Sequence, residues 1–404
     1  MSLLPVEEAL RRVLAGVTEP LGEETVGLAD ADGRTLARDL AARRTQPPFA
    51  ASSMDGYAVR SADVSRATSS LIVVGESAAG RGFAGTVGPG EAARIFTGAP
   101  MPSGADAVAL QENAVRTGAE VTISGPVKPG QFVRPAGMDF REGDVLLTAG
   151  TRLDPRRLAL AAAMGWADLP VRRRPRVGLL ATGDELVRPG EALGPDQIVA
   201  SNLYAVVRLV ARAGGEAVDL GIAADTHEGL AGSLETGFAS GLDVLVTLGG
   251  ASVGEHDLVQ EALRRQGMEL GFWRIALRPG KPLMHGRLGK LLFLGLPGNP
   301  VSAIVCGLIF LEPLLRALVG DPDAGRDRTE PAILAVDLPG NDARQDYVRA
   351  TLVPRPDGLP LVTPLPVQDS GMLSALARAD ALLVRPPHAP AAETGSLVRV
   401  LRLT

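Results

Sequence analysis

The chain has 404 residues, 46% hydrophobic and 22% charged, the balance of a water-soluble protein of two to four domains. Aromatics make up 3%, and 41 basic residues face 46 acidic ones for a net charge of −5. These values leave little for base stacking and argue against broad nucleic-acid binding, so no nucleic-acid partner is expected.

The chain opens with MSLLPVEEALRRVLAGV, where Glu7, Glu8, Arg11 and Arg12 interrupt helix-spaced apolar positions. Charges inside that run make it an amphipathic helix and not a secretion signal. Residues 22–42 read as short strand-like or helical pieces broken at Asp32-Gly33, and Pro47-Pro48 keep 45–51 extended. From 62 to 143 the pattern is β. Strands are expected at 71–74, 92–96, 107–110 and 121–123, between glycine- and proline-rich turns, as in a small inserted unit. Residues 156–164 predict a helix, and 170–175 (PVRRRP) a linker.

From Arg176 strands and helices alternate. Strands at 176–180, 216–220, 243–248 and 291–294 interleave with helices at 203–213, 228–240, 258–265 and 301–311. This predicts a mostly parallel sheet covered on both faces. After Gly320-Asp321-Pro322 the chain returns to short β runs. The longest apolar run, 301–311, falls short of the roughly 20 residues of a membrane span, so no membrane is expected. The single cysteine, Cys306, lies in that run as a buried hydrophobe. With no disulfide possible within the chain, a reducing cytoplasm is the expected compartment.

Chemistry gathers where these strands end, because ligands of open parallel sheets bind beyond the carboxyl ends of the strands. Three ends are unusual: TGDEL at 182–186, GGASVGEHD at 249–257 and PGNP at 297–300. In the last, Pro297 and Gly298 turn the chain, Asn299 is placed as an N-cap, and Pro300 as the first helical residue. Such a turn leaves backbone amides free for an oxyanion. If the three strands are neighbours, two glycine-rich cradles and several carboxylates share one rim, a setting for Mg²⁺ with substrate phosphates.

Other motifs fit less well. Gly280-Lys281 lacks the upstream glycine of a P-loop. The Gly250–Gly254 segment GASVG matches a nucleophile elbow, yet His256, His285 and His388 are poorly placed as partners for Ser252. One cysteine and four scattered histidines supply no zinc spacing. LRPGKP at 277–282 holds Arg278 and Lys281 in a stiff turn, either for an anion or merely solvated. Asp55 is either a turn former or a site residue, and Arg134, Asp139 and Arg349 are equally open.

Taken together, these residues make the sequence resemble the molybdopterin molybdenumtransferase (MoeA) family, which includes the corresponding domain of gephyrin. Seven blocks match in order: SMDGYA at 53–58, TGAP at 97–100, RPAG at 134–137, TGDEL at 182–186, the 249–257 loop, PGKP at 279–282 and GLPGNPVSA at 295–303. The resemblance implies a multidomain α/β plus β fold. A three-layer α/β molybdopterin-binding domain would take residues 1–20 and 170–320, and a small linking domain 21–43 and 142–169. An inserted β-rich domain would take 44–141, and a C-terminal β-barrel-like domain 321–404.

The resemblance further implies an elongated homodimer, with the cleft between the α/β domain of one subunit and the inserted domain of the other. That cleft would bring in Asp55, Thr97 and Asp139 as catalytic residues. The implied reaction inserts molybdenum from molybdate into adenylylated molybdopterin, with Mg²⁺-dependent release of AMP. Glu185, Asp225 and Asp257 would lie at the metal and phosphate end, with Glu185 and Asp257 as metal ligands. Gly249, Gly250, Ser252, Gly254, Pro297, Gly298, Asn299 and Ser302 would cradle phosphate and pterin. Arg278, Lys281, Arg349 and Ser370 would receive the molybdate, with Pro282 beside them.

The chain departs from the family in two places. Many members carry lysine where Arg278 stands, and the glycine loop usually opens Ser-Gly-Gly-Val, not Leu248-Gly249-Gly250-Ala251. A separate molybdopterin adenylyltransferase would supply the activated pterin, and recipient molybdoenzymes would take the product. A molybdopterin adenylyltransferase and a gephyrin-like scaffold are the alternative functions.

Overall fold

The computed structural model of the chain describes residues 3–250, 258–356 and 358–403. Its centre is a six-stranded sheet. Arg176–Thr182, Glu216–Ala223, Val244–Leu248 and Leu291–Leu296 run parallel, and Pro282–Leu288 and Glu269–Arg274 extend the sheet as an antiparallel edge. Alternation along the strands sorts their side chains into two cores. Val177, Leu179, Val246, Leu294 and Leu296 pack with the helices Val6–Ala15, Asn202–Arg212 and the Pro300–Leu318 segment. Leu180, Leu245 and Phe293 pack on the opposite face with His227–Ala239 and Leu258–Arg265. This is the three-layer arrangement the alternating pattern predicts.

Pro300–Leu318 is one run of 19 residues with a π-helical middle, Gly307–Leu311. By length and composition it could cross a membrane, but 78% of its apolar window is buried in the fold, which makes it a core helix. Cys306 lies on it fully buried, and burial pushes its thiol pKa up, as befits an inert core position.

Two further β units precede this sheet in sequence. Glu23–Gly27 pairs antiparallel with Asp168–Arg172 beside the helix Pro155–Ala163, around Leu36, Leu153, Met164 and Leu169. The segment expected to be a linker therefore begins as a strand: Leu169 and Val171 alternate into this core although Pro170 separates them. Residues 56–124 form a six-stranded mixed sheet that includes Gly56–Val59, Thr68–Ser77, Glu91–Ile95 and Ala107–Leu110.

At the C-terminal end, five strands close on themselves: Glu330–Leu334, Gln345–Arg355, Gly358–Pro364, Ala381–Arg385 and Leu397–Arg402. Closure pairs every strand on both sides and leaves no free edge within the ring. The short strand Leu277–Arg278 then pairs parallel with Gln345–Arg355, which ties the barrel to the α/β unit. Tyr347, Leu376, Leu382 and Leu401 of the barrel join the same apolar cluster as the Pro300–Leu318 helix.

Candidate functional site

The strands ending at Thr182, Leu248 and Leu296 are neighbours and parallel, so their following turns meet at one rim. A cleft of about 490 Å³ opens there. Among its lining residues are Glu185, Asp225, Gly249, Gly250, Pro282, Pro297, Gly298, Asn299 and Ser302. Nine residues singled out from the sequence thus surround one space. Ser252, Gly254 and Asp257 lie outside the described residues.

Local geometry explains the glycines. Gly249 and Gly250 have φ of 100° and 64°, and a Cβ on Gly249 would stand 2.7 Å from the Thr182 carbonyl oxygen. The neighbouring turn packs against it at ordinary contact distance: a Cβ on Gly298 would lie 3.5 Å from the Gly249 Cα. Below them the Thr182 hydroxyl is buried and without a hydrogen-bond partner among the described residues.

Asn299 corrects one expectation. It holds the N-cap backbone position, yet its side chain makes no cap bond. Its Nδ2 instead donates to Ser370 Oγ at 2.8 Å, and the Val301 amide donates to the Ser370 carbonyl at 3.1 Å. One of the amides expected to be free is therefore spent on the loop after the barrel strand Gly358–Pro364. A tertiary partner has outcompeted the local cap. On the other side Asn202 Nδ2 donates to the Gly298 carbonyl at 2.6 Å. Asn202 was missed from the sequence, although a polar Ser-Asn pair opening a helix at a strand-end rim is a readable sign.

The acidic end is crowded. The Asp225 amide donates to Asp184 Oδ1 at 2.9 Å. Burial, then the charges of Asp184 and Glu185, raise the Asp225 pKa above the usual carboxylate range. No three His, Cys, Asp or Glu side chains are assembled into a metal cage among the described residues.

The basic residues occupy different states. The Lys281 side chain is exposed and has no hydrogen-bond or ion-pair partner among the described residues. Arg349 is 1% exposed; its Nη2 donates to the Asp369 carbonyl at 3.2 Å, its Nε has no partner among the described residues, and burial lowers its pKa. Arg278 is engaged by Asp346 through two hydrogen bonds.

Asp55, Thr97 and Asp139 are not among the residues lining the cleft within this chain. Asp55 and Thr97 do meet each other. The Thr97 amide and hydroxyl donate to Asp55 Oδ1 at 2.7 and 2.8 Å, and these bonds hold the Asp55 pKa below its ordinary value. Asp139 is exposed and its amide donates to the Gln46 carbonyl.

Comparison with known sequences and folds covers the whole of this arrangement. Residues 4–165 match the family description "MoeA N-terminal region (domain I and II)". Residues 178–317 match "Probable molybdopterin binding domain", and residues 331–403 match "MoeA C-terminal region (domain IV)". The molybdopterin molybdenumtransferase of Haemophilus influenzae is 35% identical over 95% of this chain and 94% of its own. That of Bacillus subtilis is 33% identical over 98% and 94%. A crystal structure of a molybdopterin biosynthesis MoeA protein from Pyrococcus horikoshii superposes with a TM-score of 0.84 at 29% identity, covering 100% of both chains.

Proposed function

Because the chain belongs to the molybdopterin molybdenumtransferase family, we propose that it acts in molybdenum cofactor biosynthesis, inserting molybdenum from molybdate into adenylylated molybdopterin with release of AMP. The observation that carries this reading is the shared rim: three neighbouring strand ends with carboxylates at one end, glycine turns between, and the barrel's Ser370 bonded to the third turn.

In this reading the turns at Gly249–Gly250 and Pro297–Ser302 hold the phosphate and pterin portions, since only unobstructed backbone lets them come close. Lys281 supplies an unpaired cation for the oxyanion, and Ser370 and Arg349 donate to it from the barrel side. Mg²⁺ fits the acidic end. Its donors are hard carboxylate oxygens, and Asp225, its pKa raised by burial and then by Asp184 and Glu185, has no cation offsetting that shift among the described residues. Glu185 and Asp257 would hold the ion, which when bound takes up charge developing on the phosphoanhydride. A second copy of the chain would complete the cleft with Asp55, Thr97 and Asp139. The activated pterin would come from a separate adenylyltransferase in the cytoplasm, and molybdoenzymes would receive the product.

The test is incubation of the purified protein with adenylylated molybdopterin, Mg²⁺ and micromolar molybdate, with AMP and active cofactor quantified. Molybdate-dependent AMP release with cofactor formation is the expected result. An adenylylate that is bound and stays intact refutes it, and ATP consumption with free molybdopterin would point to the adenylyltransferase instead.

A further inference from the structure

Arg278 has the residue type and the neighbourhood of an oxyanion ligand, but its guanidinium is already committed. Nε donates to Asp346 Oδ1 at 2.8 Å and Nη2 donates to Oδ2 of the same carboxylate, a two-bond fork. Nη1 faces Asp342 Oδ2 at 3.5 Å, and Asp342 is itself gripped by Arg344, whose Nη2 lies 2.7 Å from it. Two cations and two carboxylates thus neutralise one another, and a dianion arriving at Arg278 would meet both carboxylates.

The other side of the fork is the more constrained. Asp346 is 4% exposed, and among the described residues Arg278 makes both of the side-chain hydrogen bonds to its carboxylate. Its neighbour across the strands, Arg385, directs Nη2 to the Pro339 and Pro390 carbonyls instead. A buried carboxylate needs a charged, hydrogen-bonded partner, and removing that partner is costly. The fork also sits on a strand junction. Leu277 and Arg278 pair in register with Gln345 and Asp346, and the Gln345 amide donates to the Ala276 carbonyl at 2.8 Å.

The position of this junction gives it meaning. Lys281 follows Arg278 by three residues, at the end of a loop closed by the Ile275 amide donating to the Lys281 carbonyl at 3.0 Å. Arg349 follows Asp346 by three residues, on the barrel strand Gln345–Arg355. We infer that Arg278 is a positioning residue: it clasps Asp346 to fix Lys281 of the α/β unit against Arg349 of the barrel, and it is not itself a seat for the oxyanion. The inference rests on the function proposed above for its reading of the oxyanion, and not for the clasp.

The test uses the full chain, with molybdate binding measured by calorimetry for wild type, Arg278→Ala, Asp346→Asn and the double variant. A clasp predicts that each single variant weakens molybdate about ten- to a hundredfold through misplacement of the remaining donors. The double variant is then no weaker than the worse single one, and Arg278→Lys recovers only part because an ammonium cannot make the fork. Asp346→Asn binding molybdate as tightly as wild type or tighter, while Arg278→Ala loses it, overturns the inference and makes Arg278 a ligand. Single effects that simply multiply overturn it as well.

Hydrogen exchange at the Gln345 amide supplies a readout that needs neither molybdate nor a folded Asp346 variant. Arg278→Gln should speed that exchange, and an unchanged rate overturns the clasp even where AMP release is intact. Faster exchange in a protein whose wild type releases no AMP would instead sink the proposed function and leave the clasp standing.

Discussion

Asn299 and Ser370 join two units of the fold, the Asn299 Nδ2 lying 2.8 Å from the Ser370 Oγ. One residue belongs to the turn that opens the central helix, and the other to the loop following the barrel strand Gly358–Pro364. The contact puts a hydroxyl from the barrel at the mouth of the α/β cleft, where the Val301 amide also bonds the Ser370 carbonyl. Asn299→Ala and Ser370→Ala should each lower stability by about 1 kcal/mol, the net worth of one hydrogen bond. Denaturant unfolding of the two variants and their combination checks this, and fully additive losses would count against the bond.

Gly250→Ala should be worse than either. Its φ of 64° is strained for alanine, and the new methyl would stand 2.2 Å from Val259 Cγ2 and 2.9 Å from Thr182 Oγ1. Left-handed strain and overpacking together predict a loss of roughly 2–4 kcal/mol. Urea titration of Gly250→Ala beside an exposed control such as Gly118→Ala, whose Cβ meets nothing within 4 Å, measures it. The two sharing one midpoint would show that the close approach carries no energy.

Asp225→Asn should separate stability from activity. The folded-state pKa of Asp225 is raised by burial and by Asp184 and Glu185. A raised pKa means the ionised form is disfavoured in the native state, so the protein loses stability as pH climbs from the unfolded carboxylate value through the raised one. Asparagine removes that loss. The variant should therefore have a higher Tm than wild type at pH 7 and the same Tm near pH 3, while molybdate-dependent AMP release falls at least about tenfold. A Tm difference that is constant with pH would be the wrong outcome.

Lys281→Ala should behave oppositely to a core change. The side chain is exposed and unpaired among the described residues, so stability should stay within about 0.5 kcal/mol of wild type. If the ammonium meets the oxyanion, turnover at low molybdate should drop about a hundredfold. Calorimetric Tm and AMP release at several molybdate concentrations decide between a substrate contact and a solvated lysine.

Sequence reading succeeded where local signals suffice. The helix at 258–265 and the strand at 107–110 lie where periodicity places them, and βα alternation predicts the three strands whose ends line the cleft, while their being neighbours is a property of the sheet order. It failed where distant segments decide. Asp168–Arg172 is a strand because Glu23–Gly27 pairs with it, and nothing near PVRRRP announces that partner. The antiparallel strand Pro282–Leu288 starts at a proline and holds His285, Gly286 and Arg287, so its β signal is weak until Glu269–Arg274 and Leu291–Leu296 lie on either side of it. Asn299 carries the residue type of a cap, but the competing hydroxyl of Ser370 is 71 positions away. Asp346 likewise has no visible role until the fold brings Arg278 to it.

The first helix, Val6–Ala15, buries Val6, Ala9 and Val13 in a core otherwise built from residues 177–318 and the barrel. Leu4 bonds on both sides of Ile275, donating to the Arg274 carbonyl and accepting from the Ala276 amide. During synthesis this helix therefore emerges long before anything it packs against, while the two intervening units, with cores of their own, can fold ahead of it. The ribosome releases an amphipathic segment that must wait, apolar face uncovered, for a sheet completed only at Leu296. Its exposed face carries Glu8 bonded to both Arg11 and Arg12, which keeps the waiting helix soluble and locally paired without committing its buried side.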